Sequence, residues 1–211
     1  MTVLEYSMFG FPAMVGLVGL FLLYSFRAPT LGEPLLAGLG VVLVASTLGG
    51  FVLAILIAVS VYGDAKAVAS ADGEWNPSPI LYGLGGFFLS GLVGAHYLYN
   101  RYRYTTTPSN DWNGWWYGVV ACFAVVVVSG VASVLALPFT VGMFGVLFVG
   151  GGVLPIAIYK DAVSVRATDS DWVPNPINYF FVILVCAVTV VVPAAVSGYY
   201  LFKRHRHVGA P

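Results

Sequence analysis

Tyr62-Gly63-Asp64-Ala65-Lys66-Ala67-Val68-Ala69-Ser70-Ala71-Asp72-Gly73-Glu74-Trp75-Asn76-Pro77-Ser78-Pro79-Ile80-Leu81-Tyr82 returns 97 residues later as Tyr159-Lys160-Asp161-Ala162-Val163-Ser164-Val165-Arg166-Ala167-Thr168-Asp169-Ser170-Asp171-Trp172-Val173-Pro174-Asn175-Pro176-Ile177-Asn178-Tyr179. Ten of the 21 aligned positions are identical, and Glu74 and Asp171 share a charge. The match resumes at an offset of 103, where Tyr97-Leu98-Tyr99-Asn100-Arg101-Tyr102-Arg103 aligns with Tyr200-Leu201-Phe202-Lys203-Arg204-His205-Arg206. The chain therefore reads as a duplication. The last helix of the second copy is six residues longer than its counterpart, ~9 Å at ~1.5 Å per residue.

The repeated stretch reads as a place where a helix leaves a bilayer, turns and re-enters. The apolar run at 35–62 continues as an extension carrying Asp64 and Lys66, and Asp72-Gly73 and Asp169-Ser170 are turn formers that stop such extensions. Trp75 and Trp172 suit the headgroup layer, where an amphipathic ring is most stable. Pro77 and Pro174 belong to the same repeated turn. Ser78-Pro79 and Asn175-Pro176 read as an N-cap followed by proline at the first helical position. A second meaning stays open: two acidic sites, Asp64/Asp72/Glu74 and Asp161/Asp169/Asp171, for a cation or a headgroup.

Outward from this motif, composition sets the class. Of 211 residues, 59% are hydrophobic and 9% charged, with a mean hydropathy of +0.89. Soluble domains carry ~25% charged residues, so a water-soluble monomer is excluded. Disorder is excluded for the same reason, and a formal net charge of zero gives no electrostatic case for nucleic acid. The chain is expected to be an all-α, polytopic transmembrane helical bundle, because its uncharged blocks are continuously apolar with no alternation.

Crossing ~30 Å of hydrocarbon takes ~20 residues. Four uncharged blocks fit one crossing each, and the 48-residue block between Asp111 and Lys160 fits two, divided at Pro138. Helices are expected near 9–26, 35–62, 79–99, 114–137, 139–159 and 176–202. The first block has no Lys or Arg ahead of it and no small-x-small site behind it, so it reads as a span and not as a cleaved leader.

Residues 1–211 are expected to form a single membrane domain, with repeat one about 9–104 and repeat two about 114–207. Three crossings separate the two motifs. Six spans therefore give a 3+3 repeat inverted in the membrane. One side would hold Lys66, Lys203, Arg204 and Arg206, and the other Arg27, Arg101, Arg103, Lys160 and Arg166. This balance suits an antiparallel duplication; if both Arg clusters faced the cytoplasm, the repeats would be parallel.

Helix association in lipid needs close backbone approach. Ser46, Gly50, Ala54 and Ala58 make a small-residue stripe, as do Gly86, Ser90 and Gly94. Gly150, Gly151 and Gly152 with Pro155 mark a weak point in helix 139–159, read as a packing groove or as a hinge. Tyr97, Tyr99, Tyr102, Trp112, Trp115, Trp116, Tyr117, Tyr199 and Tyr200 form an interfacial aromatic belt. Cys122 and Cys186 lie in apolar blocks without metal spacing.

No catalytic, cofactor-binding or metal-ligating set is legible. The expected span interiors hold no Asp, Glu, Lys or Arg, so there is no proton relay and no lysine for a Schiff base. His96 is a lone imidazole near a helix end, and His205 and His207 belong to a basic segment suited to lipid phosphates. No phosphate loop, HExxH or GxSxG occurs.

The Trp75-x-Pro77-x-Pro79 and Trp172-x-Pro174-x-Pro176 turns and the Tyr-Leu-aromatic-x-Arg helix ends resemble small multi-pass membrane proteins of halophilic archaea. Six Arg against three Lys, six Asp against three Glu, and spans rich in Val, Ala and Gly lean the same way. The resemblance implies a location in the cell membrane and no activity. The expected function is a non-enzymatic integral membrane component: a scaffold, an accessory subunit or a lipid-organising protein. The alternative is an inverted-repeat channel or carrier for a small or weakly charged solute, with a path lined by Ser46, Thr47, Ser90 and Thr189. Expected partners are membrane lipids and a second copy or another membrane protein, with no cofactor and no nucleic acid.

Overall fold

The apolar blocks fold as helices, because a chain in oil must satisfy its backbone polar groups internally. The computed structural model describes residues 2–27, 32–71, 73–105, 114–134, 144–168, 170–187 and 189–209. Among these residues all regular structure is helical. In order the elements are α1 (Thr2–Arg27), α2 (Gly32–Ala69), α3 (Pro79–Phe88), α4 (Ser90–Tyr104), α5 (Trp115–Val134), a π-helix (Phe144–Val153), α6 (Leu154–Arg166), α7 (Pro176–Val185) and α8 (Val191–His207). Four helices are long and apolar enough to cross a membrane, with spans at Val3–Phe21, Gly40–Ala69, Trp115–Ala132 and Gly145–Arg166. They mark the chain as a membrane protein. Pro138, the expected divider of the longest block, lies outside the described residues.

The chain divides into two compact units, one of Met1–Phe11 with Glu33–Thr107 and the other of Pro12–Gly32 with Pro108–Pro211. The division falls inside α1, at Pro12.

In the first unit the start of α1 packs with α2 and α4. Leu4 and Met8 come from α1, Ile57, Val61, Ala65 and Val68 from α2, and Ala95, Leu98 and Tyr102 from α4, all buried at helical spacing. Glycine permits the approach. A Cβ on Gly94 would meet Met8 Sδ at 2.8 Å, and one on Gly86 would meet the Ala58 Cα at 3.2 Å. Of the Ser46, Gly50, Ala54 and Ala58 stripe, Ala58 thus lies against Gly86, whereas a Cβ on Gly50 would meet nothing within 4 Å. Only 6% of the apolar window of α2 is buried, against 72% for Gly145–Arg166.

In the second unit, Val119, Cys122 and Val126 of α5 pack with Val149, Leu154, Ala157, Ile158 and Ala162, with Ile183 of α7 and with Tyr200 of α8. Gly150, Gly151 and Gly152 lie in the π-helix and are buried. Gly152 faces α1 closely enough that a Cβ would sit 3.1 Å from the Gly16 Cα. The widened π turn runs into Pro155 at the start of α6, where a proline has no N–H to give to the preceding turn. Cys122 is buried, Cys186 is half-buried, and both are free thiols.

The helices expected at 79–99 and 176–202 are each divided in two. In the first unit the interruption is a single residue, Leu89, at φ −127° and ψ 44°. Its N–H still bonds the Gly85 carbonyl at 2.8 Å, and its own carbonyl still accepts from Val93 at 2.9 Å. In the second unit the helix stops at Val185 and restarts at Val191. Thr189 donates both its N–H and its hydroxyl to the Cys186 carbonyl at 2.9 Å, satisfying a group the helix end exposes. Pro193 then sits in the first turn of α8, where its missing N–H is tolerated. Of the six additional residues, four therefore fall in the link between α7 and α8 and two lengthen α8, so no continuous helix is extended by six.

Candidate functional site

Each unit places one carboxylate of the repeated motif beneath an arginine and a tyrosine spaced four apart on a helix. That spacing puts both side chains on one face. In the first unit α2 runs past its apolar stretch and carries Asp64 to α4. Asp64 Oδ2 accepts from Tyr97 Oη at 2.7 Å and from Arg101 Nε at 3.0 Å. The Arg101 and Asp64 side chains are 16% and 11% exposed. Arg101 Nη1 also donates to the Thr105 hydroxyl, which in turn donates to the Arg101 carbonyl.

Aromatic rings close over this pair. Trp75 lies 5.2 Å from the Tyr97 ring and stacks on Tyr104 at 6.2 Å and 24°. Tyr82 meets Tyr97 edge-on at 5.1 Å. His96 stacks on Tyr82, and its two ring nitrogens lie 3.2 Å from Tyr82 Oη and 3.1 Å from Asn100 Nδ2. A cavity of about 180 Å³ opens beside the cluster, with Glu74, Trp75, Arg101 and Tyr104 in its wall.

In the second unit α6 carries Asp161 to α8. Asp161 Oδ2 accepts from Tyr200 Oη at 2.7 Å and from Arg204 Nε at 2.8 Å. Here the arginine and aspartate are 1% and 0% exposed. Trp172 lies 5.4 Å from Tyr200, Tyr179 meets Tyr200 edge-on at 4.9 Å, and His207 takes the position over Trp172 that Tyr104 takes over Trp75. Arg204 Nη1 donates to the Gly209 carbonyl at 2.9 Å, and its guanidinium lies 5.6 Å over the Trp116 ring. Asp161 Oδ1 and Trp116 Nε1 are buried without a hydrogen-bond partner among the described residues.

Of the residues expected to matter, Asp64 and Asp161 are the ones brought to a basic partner. Glu74 and Asp171 are exposed, and Asp72 and Asp169 lie outside the described residues. Pro77, Pro174 and Pro176 are buried and Pro79 half-buried. The capping signals appear as hydrogen bonds: Ser78 Oγ accepts from Leu81 N at 3.5 Å, and Asn175 Oδ1 from Ile177 N at 3.2 Å. Two hydroxyls of the suggested solute path are used locally, Thr47 donating to the Leu43 carbonyl at 2.8 Å and Thr189 to that of Cys186. Among the described residues no group of three or more His, Cys, Asp or Glu is arranged to hold a metal ion.

Sequence reading missed the pairing itself. Tyr97 and Arg101 were visible as a repeated helix end and Asp64 as a repeated helix extension, but nothing joined them. The signal was available: an acid and a Tyr-x-x-x-Arg face occur together in both copies, and a charge near lipid needs a partner. Chemically, each cluster is a clamp. The guanidinium neutralises the carboxylate and the phenol fills one of its lone pairs, so neither acid is presented as a base or nucleophile.

No family model, curated protein or solved structure matches the chain.

Proposed function

We propose that this is a non-enzymatic integral membrane component of the cell membrane, acting as a scaffold, accessory subunit or lipid-organising protein, of the kind that small multi-pass proteins of halophilic archaea represent. The observation that carries the reading is α2. Most of its apolar window is unburied, while Asp64 and Asp161 of the repeat are taken up in clamps. An apolar helix bare over most of its span is at home in lipid or against the helix of a second copy or another membrane protein.

In this reading the divided helices α3–α4 and α7–α8 also cross, giving six spans in a 3+3 inverted repeat. Each of those pairs begins at a Trp-x-Pro-x-Pro turn and ends at an arginine clamp, with enough residues between for one passage. The test is side-specific thiol labelling of Arg103→Cys and of Arg206→Cys, two exposed positions, in a chain lacking Cys122 and Cys186. An impermeant reagent is expected to reach one position from each face of a sealed vesicle. Labelling of both from the same face overturns the inversion.

A second reading, a channel or carrier for a small or weakly charged solute, is favoured by one observation. The link at 186–190 comes after a ten-residue helix, ~15 Å of rise or about half the hydrocarbon thickness, and it packs where Gly151 and Gly130 make room. Helices interrupted at mid-membrane depth are a feature of transport sites. Liposome flux separates the readings: a scaffold passes no ions, water or neutral solutes, and measurable flux moves the assignment to the carrier.

A further inference from the structure

We propose that the cavity of the first unit receives the zwitterionic ammonium–phosphate headgroup of a membrane lipid. The proposal rests on the reading of the chain as an integral membrane protein and adds the chemistry of the lipid it holds.

The cavity sits where α2 has left the apolar layer. The span Gly40–Ala69 has 30 residues, ~45 Å of helix, against ~30 Å of hydrocarbon. Ala67 and Val68, in the cavity wall, lie just beyond Asp64 and Lys66 near the end of that span, where a helix longer than the hydrocarbon would reach the headgroups. The wall supplies two opposite charges. Arg101 gives Nε to Asp64 and Nη1 to Thr105, leaving the two N–H donors of Nη2 without an acceptor among the described residues. Glu74 is exposed and makes no hydrogen bond or ion pair among the described residues. The stacked Trp75 and Tyr104 rings form an aromatic wall suited to methylenes and to an ammonium group.

A phosphate alone would meet the repulsion of Glu74. An ammonium alone would leave the spare guanidinium donors unfilled. A headgroup with both satisfies both, the phosphate oxygens accepting from Arg101 and the ammonium donating to Glu74.

The second unit is the internal comparison, because there the chain itself covers the arginine. The Gly209 carbonyl accepts from Arg204, Ser170 Oγ reaches the His207 carbonyl at 3.5 Å, and Arg204 is 1% exposed. In the first unit the matching Nη1 acceptor is the Thr105 hydroxyl, and what differs is the cavity beside an arginine that stays 16% exposed.

The test uses the full chain in nanodiscs, then stripped in detergent and titrated with phosphatidylethanolamine, phosphatidylglycerol or water-soluble phosphoethanolamine, with bound lipid read by native mass spectrometry. Phosphatidylethanolamine is expected to bind most tightly. Glu74→Gln is expected to weaken it about tenfold, ~1.4 kcal/mol, and to tighten phosphatidylglycerol, whose phosphate no longer meets a carboxylate. Asp171→Asn, the matching change in the second unit, is expected to alter neither. Arg101→Gln risks the clamp, so the decisive variant is Glu74→Gln, at an exposed position. Equal retention of the two lipids, or indifference to Glu74→Gln, overturns the proposal. Phosphoethanolamine binding as tightly as the lipid overturns the lipid as its source. A chain that stays monomeric in buffer without detergent fails at the earlier step and refutes the membrane reading instead.

Discussion

The clamp at Asp64 and the clamp at Asp161 use the same residue types at the same motif positions, yet one is half-open and the other sealed. At Asp64 the guanidinium keeps spare donors and faces a cavity. At Asp161 both charges are withdrawn from solvent, the guanidinium lies over Trp116, and a carbonyl from beyond α8 accepts from it. The difference lies in the groups laid over the arginine, not in the motif that supplies it. A duplicated sequence element can thus be a rigid fastening in one copy and an accessible surface in the other.

Arginine removal should separate the two most widely. Arg204→Met strands a buried carboxylate and is expected to cost ~3–5 kcal/mol, read as a lowered unfolding midpoint in detergent. Arg101→Met leaves a carboxylate that water can reach and is expected to cost ~1 kcal/mol or less. Equal losses would break the contrast.

The phenols come next. Tyr200→Phe removes a charge-assisted bond inside the sealed cluster, with ~1.5–3 kcal/mol expected by the same measurement. Tyr97→Phe should cost about half as much, because solvent can replace the lost donor.

Gly152→Ala places a methyl 3.1 Å from the Gly16 Cα, and backbone cannot swing aside as a side chain would. A loss of ~1–3 kcal/mol is expected in denaturant titration. Gly50→Ala meets open space and is expected to be neutral or to stabilise by up to ~1 kcal/mol through helix propensity.

The smallest effects belong to the caps. Asn175→Ala is expected to cost ~1 kcal/mol and Ser78→Ala roughly half that, in line with their 3.2 Å and 3.5 Å bonds, with helix content and midpoint as readouts.

Much of this was legible in the residues. Unbroken apolar runs set the helices, and Ser78-Pro79 and Asn175-Pro176 marked two starts to the residue. The interruptions at Leu89 and at 186–190 were not legible, because Val, Ile, Leu and Cys suit a helix and a break alike; in the second unit the break goes with tertiary packing against Gly151 and Gly130 and with the placement of Pro193. The clamps lay in two pieces, 37 and 43 residues apart, and no local pattern joins residues across such distances. The different covering of the two clamps was out of reach for the same reason, since it depends on the Gly209 carbonyl and the Trp116 ring reaching Arg204.

The sealed pair also has a history in time. Asp161 leaves the ribosome 43 residues ahead of Arg204, and throughout that interval its counter-ion has not been made. A nascent acid in that position must stay wet or stay protonated, because oil does not accept it charged. The sealed form of the second clamp is therefore expected only once Arg204 has been translated. A chain that ends before Arg204 would carry Asp161 without its counter-ion.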